Sequence, residues 1–271
     1  AVGAILLVFG MVAVDLAIPR LTQEVIDHGV ARRDLSAIVR TSALMLLASV
    51  VSAGFAVANT LLGVRVSQRT AADLRLAVVR RVQSFSFGNL DHLGTGQLVT
   101  RLTNDVTHVQ EAVMMLLRMA ARGPFTMIGS LVMAIFTSPQ LAWLPIVLMF
   151  VEGLVVTLVI RRATPLFTEM QGRLDGLNGV MQENLAGVRV VKAFARAERE
   201  KERFGVANER LMAKAIQAMR TAVVMFPFMI ITLNLGVIGV LCFGGIEVSQ
   251  GTMEVGQIVA FVNYLITTLF S

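Results

Sequence analysis

From Thr41 to Val64 the chain carries no charged side chain, and that stretch restricts its folding more than any other feature. A helix rises about 1.5 Å per residue and the hydrocarbon core of a bilayer is about 30 Å thick, so about 20 apolar residues cross it with every backbone hydrogen bond made internally. Comparable apolar runs recur near 1–18, 119–138, 140–160, 221–245 and 253–271. Six membrane-spanning helices and an all-α membrane protein are therefore expected. Pro19, Pro139 and the Gly244-Gly245 pair are read as ending spans, because proline and glycine interrupt helices. The 271 residues are 55% hydrophobic and 15% charged, a composition that ordinary soluble domains do not reach.

The net charge of +6 does not point to nucleic acid, because the basic residues flank apolar runs instead of forming one stripe. The lipid bilayer is the expected partner. Arg20, Arg32, Arg33 and Arg40 lie in or beside the first loop, none lies near 139 or 246–252, and all the other Lys and Arg residues fall within 65–122 and 161–220. Basic residues are retained on the cytoplasmic side, so those two segments are expected inside the cell. The loop near 19–37 and the two short turns are expected outside.

Helical patterning outlasts the apolar spans. Leu74, Val78, Val82 and Phe85 keep one face while Arg65, Arg69, Arg80 and Arg81 decorate the others. A helix from Ser36 to about Phe85 would measure about 75 Å, well beyond the bilayer. Leu174, Leu177, Met181 and Leu185, then Phe204, Leu211 and Ala215, repeat the pattern in 161–220. Two long intracellular helical hairpins, 65–118 and 161–220, are predicted, in places that suggest a three-plus-three repeat. Val188, Val190, Val191 and Phe194 crowd the tip of the second, too far from lipid to be covered by it, which suggests a docked partner.

At the two hairpin turns the sequence resembles the type-1 transmembrane domain of ABC exporters. The resemblance rests on Gly96-Gln97-Leu98 with Thr100-Arg101-Leu102-Thr103-Asn104-Asp105, and on Gln182-Glu183-Asn184-Leu185 with Gly187-Val188-Arg189-Val190-Val191-Lys192-Ala193-Phe194. It extends to Gly251-Thr252-Met253 with Gly256 and Ala260-Phe261-Val262-Asn263-Tyr264-Leu265 and covers essentially the whole chain. The run from Val113 to Arg118, with Arg122 and Pro124, is further similar to one subunit of bacterial heterodimeric multidrug exporters. The resemblance implies a multi-pass protein of the bacterial inner membrane that pairs with a second half-transporter, a heterodimer being favoured over a homodimer. It implies short coupling helices seated on nucleotide-binding domains, here at Leu90, Asp91, His92, Leu93 and Gly96, and at Glu183, Gly187, Val188, Arg189, Val190, Lys192 and Phe194. No Gly-x-x-x-x-Gly-Lys-Ser/Thr loop occurs in the sequence. ATP and Mg are thus expected in a nucleotide-binding domain outside this segment, into which the native gene is expected to continue, and no catalytic residue is assigned here.

The implied activity is outward transport of amphipathic, drug-like compounds by alternating access; a lipid or peptide exporter, or a channel or regulator on the same scaffold, is the alternative. Fifteen Met and fifteen Phe give an adaptable apolar interior, with Met115, Met119, Met225, Phe226, Phe228, Met229 and Asn234 as candidate cavity residues. Asp15 and Glu152 each cost about 2.5–3.5 kcal/mol at a helix centre and are expected to face protein or a water-filled cavity, Glu152 being a further cavity candidate. Asp27 is the candidate outer gate. His28, His92 and His108 are scattered and Cys242 is the single cysteine, so no metal site is expected.

Overall fold

The computed structural model describes residues 2–85, 95–120 and 122–271, and every regular element among them is helical. Five helical stretches are long and apolar enough to cross a membrane: Gly3–Val30, Leu35–Gln83, Leu98–Thr137, Trp143–Ala186 and Ala197–Ser249. A shorter apolar helix spans Val255–Phe270. The chain divides into two compact units, Ala1–Ile146 with Val237–Ser271, and Val147–Gly236.

In the first unit, α1 (Val2–Glu24) continues through a π-helical turn, Val25–Val30, before α2 (Leu35–Gln83) begins. Asp34 starts α2: its carboxylate accepts the N–H groups of Ser36 and Ala37 at 2.9 and 3.2 Å, donors that a first helical turn leaves free. The Ser36 hydroxyl also donates to it at 2.7 Å. This is the long helix expected from Ser36 to about Phe85, and its 49 residues measure about 74 Å. Arg80 and Arg81 occupy its last turn, where the helix dipole favours cations. After the undescribed 86–94 come α3 (Thr95–Thr100), a π turn Arg101–Asp105, α4 (Val106–Met115), a π turn Leu116–Ala120 and α5 (Arg122–Thr137). The α4 helix packs back along α2, and the Arg75 guanidinium of α2 donates to the Leu102 carbonyl in the π turn before α4 at 3.4 Å.

The second unit contains most of α6 (Trp143–Ala186), then α7 (Val188–Ala193), α8 (Ala197–Val223) and the first half of α9 (Met225–Ser249). The 44 residues of α6 extend about 66 Å. Ion pairs tie α6 to α8, with Lys214 2.9 Å from Glu169 and Arg203 paired to Glu183.

The core of the first unit lies where α1 meets α2, α5 and α10 (Val255–Phe270). Phe261, Tyr264 and Leu265 of α10 are fully enclosed. The Tyr264 hydroxyl donates to the Leu16 carbonyl at 2.9 Å, and the Ser130 and Thr268 hydroxyls meet at 2.8 Å. Gly129 lets α5 approach closely, since a Cβ there would fall 2.4 Å from Leu16 Cδ1. Small residues serve membrane helices in this way because dispersion contact, not the hydrophobic effect, holds such helices together.

Three sequence expectations need correction. Pro19 lies inside α1: it forfeits one hydrogen bond to the Asp15 carbonyl, a loss that a membrane helix packed against neighbours tolerates. Gly244-Gly245 lies inside α9, where Gly244 gives room to Ile258, 3.1 Å from where its Cβ would be. The segment near 19–37 is not a loop throughout, because helical structure persists to Val30. Pro139 does mark a turn, between α5 and α6.

Candidate functional site

The connection between α6 and α8 is itself a short helix. Gly187 separates α6 from α7, and Ala195 takes a left-handed φ of 50° on the way to α8, a conformation uncommon for a residue with a Cβ. One side of this tip encloses a hollow of about 420 Å³ bordered by Met181, Val188, Val191 and Phe204. The other side is open: Val190 is 61% and Phe194 73% exposed. Arg189 and Lys192 are exposed beside them, so the tip offers an apolar surface edged with positive charge. The ion pair of Glu183 with Arg203 joins the end of α6 to α8 beside the tip. On the other hairpin, Leu90, Asp91, His92 and Leu93 lie outside the described residues, and Gly96 is exposed on α3.

Asp27, the candidate gate, lies in the π turn that prolongs α1 and is 8% exposed. Its Oδ1 accepts the Gly256 N–H at 2.7 Å. That donor is one of the free N–H groups in the first turn of α10, where the helix dipole also favours an anion. The Oδ2 atom is buried with no hydrogen-bond partner among the described residues. Glycine is required opposite, because a Cβ at 256 would fall 2.6 Å from the Asp27 carboxylate. The aspartate thus latches α1 to α10 across 229 residues of sequence.

The cavity candidates fall in both units. Met115 and Met119 border a hollow of about 310 Å³ with Val64, Gln68 and Arg118, and both are largely exposed. Glu152, Met225, Phe226, Phe228, Met229 and Asn234 belong to the second unit; Glu152 is buried, while Phe226 and Asn234 are exposed.

Sequence reasoning missed the partner of Asp15. Its Oδ2 lies 3.2 Å from Arg122 Nη2, and its Oδ1 accepts the Ser52 hydroxyl, so one carboxylate ties α1, α2 and α5 together. Ser52 stands near the middle of the uncharged run between Arg40 and Arg65, about 18–20 Å along the helix from either. The ion pair therefore lies level with the uncharged middle of α2, and a charge among apolar spans survives by pairing with another. The only signal in the sequence was Arg122 itself, inside a span near 119–138.

Comparison with known proteins agrees with this architecture. The ABC transporter transmembrane region family matches residues 2–271. The chain is 32% identical over 261 residues to the uncharacterized ABC transporter ATP-binding protein YfiB of Bacillus subtilis, covering 96% of this chain and 46% of that protein. It is 33% identical over 257 residues to the uncharacterized ABC transporter ATP-binding protein Rv1273c of Mycobacterium tuberculosis, covering 95% and 44%. It is 28% identical over 232 residues to the fatty acid ABC transporter ATP-binding/permease protein of Mycobacterium bovis, covering 86% and 37%. The chain spans less than half the length of each of these relatives. A helical multi-pass architecture and a match along essentially its whole length make this chain a member of the ABC transporter transmembrane region family.

Proposed function

We propose that the chain is the transmembrane domain of an ATP-driven exporter, forming with a second half-transporter subunit the pathway for amphipathic compounds, drug-like or lipid. In this reading the Arg-rich ends of α2, α6 and α8 lie in the cytoplasm, where positive charge is retained. Nucleotide-binding domains seat on the hairpin tips, ATP and Mg act within those domains, and no group of this segment enters the chemistry. Hydrolysis moves the tips, and the long helices carry the movement to the membrane as an exchange between inward and outward access. The partner favoured is a different subunit, on the likeness of Val113–Arg118 to heterodimeric exporters. A relative named for fatty acids supports an amphipathic substrate.

The observation that carries the proposal is the exposed apolar surface at the end of a helix about 66 Å long, Val190 and Phe194 standing open where no lipid reaches. In the complete transporter with Cys242→Ser as background, cysteines at Val190 or Phe194 should crosslink to cysteines on the nucleotide-binding domain. Absence of crosslinks at both positions, with ATP-driven transport intact, would refute the docking.

A further inference from the structure

Arg162 of α6 and Arg220 of α8 border one hollow of about 660 Å³, and neither guanidinium pairs with a carboxylate among the described residues. Every residue around this hollow belongs to the second unit. The ion pairs between α6 and α8 set its level. Lys214 and Glu169 meet at 2.9 Å, and Glu183 pairs with Arg203, so the two helices run antiparallel. From Glu169, Arg162 lies about 10 Å back along α6, and from Lys214, Arg220 lies about 10 Å onward along α8. The two arginines therefore stand across from each other. They do so where both apolar runs stop, 140–160 just before Arg161 and 221–245 just after Arg220, which is the level of the cytoplasmic headgroups when basic residues are retained inside.

The hollow differs in kind on its two sides. Toward the cell interior, Glu169 is engaged by Lys214 and, at 3.5 Å, by Arg173, which leaves the charge of Arg162 and Arg220 unbalanced. Lys214 also donates to the Gln217 side-chain carbonyl at 3.2 Å, so the amide N–H groups of Gln217 remain for the hollow that it borders. Toward the span the walls are Val155, Leu158, Val159 and Val224, a strip that runs about 10 Å from Arg162 into the apolar run. A soluble anion would leave that strip bare, and an apolar solute would leave the arginines without a partner. An anionic amphiphile satisfies both, and two guanidinium groups suit a phosphate by geometry as well as charge. Basic pockets between membrane helices on the cytoplasmic side take anionic lipid headgroups in this way.

We propose that the hollow between α6 and α8 is a site for a resident anionic phospholipid of the cytoplasmic leaflet. Its phosphate lies between Arg162 and Arg220, with Gln217 donating to it, and one acyl chain lies along Val155, Leu158 and Val159. The lipid joins the two helices at the membrane surface as the Lys214 pair joins them below it. The site is independent of what the transporter moves.

The test uses the complete transporter in phosphatidylcholine nanodiscs doped with trace phosphatidylglycerol or phosphatidylcholine, each carrying the same photoreactive acyl chain. Crosslinks within 155–166 and 213–224 are then counted by mass spectrometry. Arg162→Gln or Arg220→Gln should lower the phosphatidylglycerol yield about tenfold, the loss expected of a charge-assisted contact, and leave phosphatidylcholine unchanged. Arg162→Lys should recover part of the loss. Ile216→Trp, which fills the hollow from α8 without altering charge, should also exclude phosphatidylglycerol. Arg161 is exposed at the same level but does not border the hollow, so Arg161→Gln should cost less than about threefold, as expected of a solvated, screened charge. An Arg161→Gln loss equal to that of Arg162→Gln would reduce the site to general surface attraction and overturn it. Equal loss of both lipids, displacement by inorganic phosphate, or no effect of either arginine because a partner subunit fills the hollow would overturn it too.

Discussion

Replacing Gly256 with alanine should disturb the structure more than removing the aspartate that binds it. The new Cβ would sit 2.6 Å from Cγ, Oδ1 and Oδ2 of Asp27, so the carboxylate must move and the 2.7 Å bond from the Gly256 N–H must break. A hydrogen bond to a charged group contributes about 1.5–3 kcal/mol, and each buried group left without a partner costs about 1–3 kcal/mol more. Gly256→Ala therefore costs about 3–5 kcal/mol of α1–α10 closure. Asp27→Ala loses the same bond but also removes Oδ2, which is already buried and unpartnered, so its net cost is about 0–2 kcal/mol. The double variant should resemble Asp27→Ala, so the coupling should match the Gly256→Ala cost of about 3–5 kcal/mol. Spin labels at Arg32→Cys and Gln250→Cys, both exposed positions, would report the separation of α1 from α10 in the complete transporter carrying Cys242→Ser. Each 1.4 kcal/mol moves the closed-to-open ratio about tenfold. A strictly additive cycle, or a Gly256→Ala distribution like that of the parent, would refute the latch.

Gly129→Ala should destabilise the first unit by about 1–3 kcal/mol through overpacking against Leu16, and Leu16→Ala should recover part of it; thermal inactivation of the four variants reads the cycle. The Asp34 carboxyl is held below its ordinary value of 3.8 chiefly by the Ser36 hydroxyl, then by the Ala37 N–H. Its capping therefore stabilises α2 above that value and is lost as pH falls through the lower folded one, so amide exchange at Ser36 and Ala37 should quicken only in that acid range. Arg203→Gln should cost less than about 1 kcal/mol, since both side chains of its pair with Glu183 are about half exposed. Phe194→Ala should leave the melting temperature unchanged yet depress substrate-stimulated ATP hydrolysis in the complete transporter, and normal stimulation would remove it from the coupling surface.

Local features of this fold were legible in the sequence because they obey local rules. The apolar runs predict the spans, and the persistence of Leu74, Val78 and Val82 beyond Val64 predicts that α2 outruns the bilayer. Proline and glycine misled at Pro19 and Gly244, because their cost in water is not their cost between packed membrane helices. The site features were less accessible. Asp15 meets Arg122 across 107 residues and Asp27 meets Gly256 across 229, and no periodicity encodes which helix lies beside which. Asp27 stands out in the sequence, but as a residue of an outer loop; only packing shows that its partner is the backbone of α10.

The π turns bear on how the chain tolerates a change of length. A residue inserted into an α-helix advances everything after it by about 100°, and a π turn is the form in which a helix absorbs such a residue without unwinding. Deleting one residue between Leu116 and Ala120 would let the turn close as ordinary α-helix, keeping the flanking helix in register but changing the bearing of the side chains within the turn. Arg118 and Met119 would swing off the hollow they border with Val64 and Gln68. The same deletion in Val25–Val30 would carry Asp27 away from Gly256. These turns act as register marks: helix length around them can be conserved by hydropathy alone, but the bearing of each charged side chain depends on a count of residues that no hydropathy profile records.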